Sequence, residues 1–198
     1  MIKLLPTLRN GNFQNIRMEE IARSMEISRA TLYKYYTNKE AIFERLIKSL
    51  ADYISKLESP VLKEQKDYGT VFQHFFEQSV SIALLFTDEF MKELKVTYPV
   101  LSNMLNDAIK EKESEELRFY SYGMKHDVFN SLDGKFIILQ DKILQIVLDI
   151  TFLLKNQLTI EEALKSYYQL NKIQLFKNDS INLVDDNLMI PKFEYLTN

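Results

Sequence analysis

The feature that most limits what this chain can fold into is the spacing of its apolar residues. They recur three and four positions apart almost from end to end, and only four Gly and four Pro interrupt 198 residues. That spacing draws one apolar stripe along each helix, so the chain reads as all-α. Helices are expected at 2–9, 18–25, 29–35, 38–58, 67–86, 88–97, 99–122, 136–156 and 160–176. An apolar share of 46% is enough to close a core, and no internal repeat or low-complexity tract occurs.

Local signals support several of these elements. In 38–58 the residues Ile42, Phe43, Leu46, Ile47, Leu50, Ile54 and Leu57 fall on one stripe, with Glu44, Arg45, Lys48 and Lys56 opposite. "TNKE" at 37–40 and "TIEE" at 159–162 both have the Thr-x-x-Glu form of a capping box, and Pro99 suits the first turn of the helix it opens. The tail from Lys177 mixes apolar residues with Asp185, Asp186 and Pro191, which fits either a short helix or a packed arm.

Composition excludes several classes. With no cysteine there are neither disulfides nor thiolate metal sites, and a reducing, cytoplasmic setting fits. "MIKLLPTLRNGNF" is too broken by polar residues for a signal peptide. The longest apolar stretch, 135–157, is interrupted by Asp141, Lys142, Gln145 and Asp149, which argues against a membrane span. Catalytic chemistry finds no support: His74 and His126 stand far apart, no Gly-rich phosphate loop exists, and no cofactor or metal is implied. The acid pairs Glu115-Glu116 and Asp185-Asp186 read as solvated surface.

The net charge of −3 hides an asymmetry. Residues 1–50 hold nine Lys and Arg against five Glu, a balance of +4, which leaves −7 on the rest. A basic head on an acidic body is the layout of a protein that meets phosphate with one end. Within the head, "MEEIARSMEISRATLYKYY" at 18–36 gives a first short helix with Ile21, Ala22 and Met25 on one face and Ile27 in the connection. Ser28 then N-caps a second helix that buries Leu32 and Tyr36. Two short helices joined this way form a helix-turn-helix, whose second helix enters the DNA major groove.

The segment "MEEIARSMEISRATLYKYYTNKEAIF" resembles the DNA-binding domain of the TetR (tetracycline-repressor) family of bacterial regulators. Ile21-Ala22, Ile27-Ser28, Thr31-Leu32-Tyr33, Tyr36 and Lys39-Glu40 carry the resemblance. It departs from the family pattern at Glu26, where Gly is usual in the turn, and at Arg17, where Ser or Thr usually caps the first motif helix. The opening helix is also short and lacks a basic arm. If Glu26 is left-handed, the cost is on the order of 1 kcal/mol.

The DNA-contacting set is expected to be Arg17, Ser28, Arg29, Thr31, Tyr33, Lys34, Tyr35 and Lys39. Arg29 suits a guanine edge and Lys34 a phosphate, while Thr31 suits a thymine methyl or a phosphate. Lys39 faces the positive end of its own helix dipole, so another partner must favour it, and the resemblance implies phosphate there. It likewise implies a backbone contact for Tyr33; Tyr35 either does the same or caps the motif's edge.

Residues 1–46 are expected to form the DNA-binding domain and 47–198 a helical effector-binding and dimerisation domain. The resemblance implies a small-molecule effector, apolar or aromatic, in a pocket drawn from Phe72, His74, Phe75, Phe76, Phe90, Tyr98, Phe119 and Tyr122. It also implies a homodimer, expected through Ile143, Ile146, Val147, Ile150, Leu154, Leu164 and Tyr168. The same wide apolar surface on 136–156 would also suit a helix buried in the centre of one monomer. The functional expectation is a transcriptional regulator, a repressor released by its effector from a near-palindromic operator. The alternative is a ligand-binding or scaffolding protein with a weakened DNA-binding head.

Overall fold

The computed structural model describes residues 2–9, 11–55, 62, 64–65 and 67–196, with the backbone alone for residues 2 and 194–196. A 3-10 turn at Ile2–Leu4 precedes α1 (Leu5–Leu8), α2 (Met18–Ser24), α3 (Arg29–Tyr35), α4 (Lys39–Ser55), α5 (Asp67–Leu85) and α6 (Asp88–Thr97). Then follow α7 (Pro99–Lys125), α8 (Gly134–Val147), α9 (Ile150–Asn156), α10 (Ile160–Leu175), a 3-10 turn at Ile181–Leu183 and α11 (Asp186–Leu196). The described residues contain no strand, only an isolated bridge between Phe129 and Phe176. None of their helices is long and apolar enough to cross a membrane. The chain forms two compact units: Met1–Glu58 with Leu85–Lys112, and Ser59–Leu84 with Glu113–Asn198.

The first unit is built around Phe13. This ring is fully buried and meets Phe43, Phe90 and Tyr98 edge-on, with centroids 5.2, 5.1 and 6.2 Å away. Edge-to-face pairs of this kind add roughly 0.5–1.5 kcal/mol each beyond the area they bury. The helix expected at 2–9 is a 3-10 turn followed by a single α-turn, because Pro6 sits in the first turn of α1 and Gly11 and Asn12 then turn left-handed (φ 79° and 84°). Gly11 cannot be replaced freely, since any Cβ there would strike the Glu93 carboxylate.

In α4 the stripe Ile42, Phe43, Leu46, Ile47, Leu50 and Ile54 is buried as expected, while Lys56 and Leu57 lie outside the described residues. Its cap differs from expectation. Asn38, one residue after Thr37, accepts the Ala41 N–H through Oδ1 at 2.9 Å, and Glu40 instead accepts from the Tyr98 hydroxyl at 3.4 Å. Burial, then the Glu40 charge, pushes the Tyr98 phenol up to about 12.

The second unit packs α5 with α10 and α11. The helix expected over 136–156 is broken in two. Asp149 takes an extended backbone (φ −71°, ψ 128°) and its Oδ1 accepts the Phe152 N–H at 3.0 Å, so it caps α9 rather than extending a polar stripe. At Thr159 the capping box forms in full: the Thr159 N–H donates to Glu162 Oε2 at 2.8 Å, and the Glu162 N–H to Thr159 Oγ1 at 3.1 Å.

The tail combines both forms expected of it, a short helix that packs as an arm. Phe193 is buried against Phe76 and Tyr168, and Gly69 lets the Leu183 carbonyl pass where a side chain would collide with it. Asp186 accepts hydrogen bonds from Lys172 Nζ at 2.6 Å, Gln169 Nε2 at 3.1 Å and the Tyr168 hydroxyl at 3.1 Å. Burial works against its charge, but the hydrogen bonds from Lys172 and Gln169 outweigh it and hold the carboxyl below the usual aspartate value. The solvated reading of the acid pairs therefore fails for Asp186, and also for Glu116, which is 1% exposed.

Candidate nucleic-acid interface and interior cavity

The helix-turn-helix is held by few residues. Ile21 and Ala22 of α2 and Leu32 of α3 are buried, while Met25, Ile27 and Tyr36 are half-buried. Tyr36 thus contributes less to the core than its helical angle implies, because α3 ends before it and its backbone is extended (φ −136°, ψ 125°). The turn carries the strain expected of it. Glu26 is left-handed at φ 56°, and its carboxylate pairs with Lys3 of the opening turn.

Ser28 caps α3 by accepting the Thr31 N–H at 3.0 Å, and the two hydroxyls lie 2.8 Å apart. Arg29, Thr31, Tyr33 and Lys34 are all exposed, as is Tyr35, so a seven-residue helix with one buried side chain leaves the rest of its surface outside. Tyr33 and Tyr35 are 47% and 69% exposed. Lys34 Nζ sits 5.8 Å from the Tyr35 ring centre. Arg17 is the N-cap residue of α2 without a capping side chain; its N–H instead donates to Glu20 Oε2 at 2.8 Å.

Two partners were not anticipated from sequence. Arg29 pairs with Glu19 of α2 at 2.6 Å, on an exposed surface where such a pair is worth little and exchanges readily. Lys39 donates to the carbonyl oxygens of Phe13 and Gln14 at 3.2 and 2.5 Å, which offsets its position at the positive end of α4. The same 12–14 turn is gripped from its N–H side by Glu93 of α6, which accepts from the Asn12 N–H and, at 3.1 Å, from the Gln14 N–H. Thr87 donates to the Arg9 carbonyl. One short turn therefore has its donors tied to α6 and its acceptors tied to Lys39. A charge 79 residues downstream leaves no local pattern, so sequence reading could not reach Glu93.

The residues expected to form one pocket divide between two places. Phe90 and Tyr98 belong to the Phe13 cluster of the first unit, while Phe72, Phe75 and Phe76 line a cavity in the second. Phe119 packs against Phe75 and Phe129 beside this cavity. Tyr122 stacks on Tyr68, and His74 is exposed with its Nε2 3.4 Å from Gln78; none of these three lines it.

The cavity is partly open to solvent and has about 20 Å³ clear enough for the centre of a water molecule. Its polar lining went unrecognised: Ser79, Glu116, Tyr120, Gln140, Asp141, Asn171 and Gln174. Ser79 Oγ donates to Asp141 Oδ2 at 2.6 Å. The available signal was helical spacing, since Glu116–Tyr120 and Asn171–Gln174 are neighbours on their helices.

The expected interface residues also divide. Ile143, Ile146, Ile150 and Leu154 are 44–73% exposed, and Val147 is half-buried. Phe136 (70%) and Leu139 (49%) extend this row toward the start of α8. Leu164 and Tyr168 are fully buried and cannot meet a partner; they lie on the inward face of α10, whose outward face carries exposed Leu170 and Ile173.

With its short, outward-facing cationic second helix capped by Ser28 and anchored by Leu32, the pair α2–α3 has the form of a helix-turn-helix. Residues 8–46 match the model of a family described as bacterial regulatory proteins, tetR family. The match covers the head alone, so residues 8–46 are similar to the DNA-binding part of those regulators and point to a DNA-binding protein of transcription control. No curated protein and no solved structure matches it.

Proposed function

We propose that the protein is a repressor that binds a near-palindromic operator as a homodimer and leaves it when a small effector enters the second unit. The observation that carries this reading is the exposed cluster Arg29, Thr31, Tyr33 and Lys34 on the capped α3. On DNA, Arg29 exchanges Glu19 for a base edge, Lys34 and Tyr33 hold backbone phosphate, and Arg17 and Tyr35 flank them. Ser28 acts through the cap, and Lys39 adds phosphate contact while its carbonyl partners orient it.

Residues 1–46 serve as the DNA-binding domain and 47–198 as the effector and dimer domain, a division of function rather than of packing. The exposed row from Phe136 to Leu154, with Leu170 and Ile173, supports a subunit interface, since apolar faces of this extent mark association sites. Two copies present two recognition helices to one operator. The effector, with an apolar or aromatic body, fills the cavity against Phe72, Phe75 and Phe76, and its arrival moves α4, which starts at Lys39.

A mobility-shift titration tests this. Operator duplex bound by the purified chain should be released as effector is added; binding that persists at saturating effector contradicts the release mechanism.

A further inference from the structure

Glu93 of α6 stands outside the helix-turn-helix, yet it grips the turn that precedes it. A peptide unit is planar, and in the trans form its N–H and its C=O point to opposite sides. The unit joining Phe13 to Gln14 uses both. Its N–H donates to Glu93 Oε1 at 3.1 Å, and its carbonyl accepts from Lys39 Nζ of α4 at 3.2 Å. Glu93 and Lys39 thus hold one rigid plane from its two edges. Each makes a second bond to the same turn, since Glu93 Oε2 accepts the Asn12 N–H and Lys39 donates to the Gln14 carbonyl at 2.5 Å. We propose that Glu93 is a positioning residue for DNA binding, which holds the Lys39 ammonium for a backbone phosphate through the Phe13–Gln14 peptide unit. The inference rests on reading Lys39 as a phosphate contact and adds the residue that aims it.

The turn is a fixed support. Phe13 is fully buried, with Phe43 and Phe90 edge-on to its ring at 5.2 and 5.1 Å, so the peptide that follows it cannot swing freely. Asn12 is left-handed at φ 84°, a backbone that a side chain disfavours and that persists where neighbours hold it. Its N–H is one of the two that Glu93 takes. At Gly11 the carboxylate occupies the space that a Cβ would need, so sequence and contact fit each other there.

Lysine is a flexible point charge, and holding it in one direction costs rotamer freedom at the moment of binding unless that freedom is already lost. Two carbonyls restrict Lys39 beforehand, and an ammonium has a third N–H for a phosphate oxygen. A carboxylate on the N–H of the Phe13–Gln14 unit polarises the carbonyl of that same unit, which strengthens its bond to Lys39. Charge alone gives the opposite expectation. Glu93 is a negative group in a unit that must approach a polyanion, so removing its charge should tighten DNA binding. Positioning predicts weaker binding, and the two accounts differ in sign.

Anisotropy titrations of the full chain with a random-sequence duplex at several low salt concentrations test this, because phosphate contacts carry no sequence information. Lys39→Ala should weaken binding about tenfold and lower the salt slope by about one. Glu93→Gln should weaken it at least about threefold and lower the slope in the same direction, although it makes the chain less negative. Glu93→Asp, which keeps the charge and loses the reach, should weaken it likewise. In a Lys39→Ala background, Glu93→Gln should leave binding unchanged or slightly tighter, since no ammonium remains to be aimed.

Tighter or unchanged binding by Glu93→Gln in the unaltered background overturns the proposal, as does a loss that simply adds to that of Lys39→Ala. So does loss of helical circular dichroism by both Glu93 variants at the assay temperature, which would make Glu93 a residue of the fold alone. If Lys39→Ala itself binds as the unaltered chain does, the phosphate role of Lys39 falls and the proposal falls with it.

Discussion

The two units of this chain carry exposed surfaces of opposite character. On α3 the outward residues other than Ala30 are cationic, hydroxylic or phenolic, and Leu32 alone is buried. Along α8 and α9 the outward row is Phe136, Leu139, Ile143, Ile146, Ile150 and Leu154, all exposed and all apolar. The first surface suits a polyanion and its grip should fade as salt rises. The second gains from leaving water, which salt barely affects. A single variable, ionic strength, thus separates what these two exposed surfaces can do.

The largest effect should come from breaking the apolar row. Placing Glu at both Ile146 and Ile150 should weaken self-association by about 100-fold or more, because unpaired charges would be buried at its centre. Sedimentation equilibrium reads this directly; a dimer that survives the double change, or that weakens as salt is raised, breaks the comparison. Next comes Arg29→Ala, expected to cost about 2 kcal/mol of operator binding and to relax base preference at one position, measured by fluorescence anisotropy. Lys34→Ala should weaken all duplexes evenly and reduce the salt slope by about one.

Much of this contrast was legible in the sequence. The head announces itself locally, since Ser28, Leu32 and the short turn lie within one window and their spacing dictates the fold. The body hides its chemistry. Its apolar periodicity gives the helices but not which face turns inward, so Leu164 and Tyr168 looked as available as Ile146. Asp149 was readable as a charge on a stripe but not as a cap, because an Asp at an apolar spacing carries both meanings until the backbone bends. Glu93 and Asp186 act on residues far from them or across a turn of chain, where periodicity is silent.

Asp186 sharpens the contrast from within the second unit. Asp186→Asn should lower stability by about 1.5 kcal/mol by removing charge-assisted hydrogen bonds to Lys172 and Gln169. Since the folded carboxyl titrates below its unfolded value near 4, its contribution is complete above about pH 4 and is lost as pH falls through the lower folded value. Urea unfolding of the unaltered chain should show this loss on acidification, and the variant should lack that share of it.

The smallest effect belongs to the head. Glu26→Gly should raise stability by up to about 1 kcal/mol, because left-handed backbone suits Gly and the exposed Lys3 pair contributes little. Thermal unfolding reads it, and a clear loss would mean that the Lys3–Glu26 pair matters more than the strain.

The central claim, that the head reads a specific operator, is tested most directly by anisotropy titration against the duplex upstream of the protein's own gene and a random duplex of equal length, at two salt concentrations. The account predicts binding to the upstream duplex at least about 1,000-fold tighter, falling steeply with salt. Equal affinity for both duplexes at either salt concentration would contradict it.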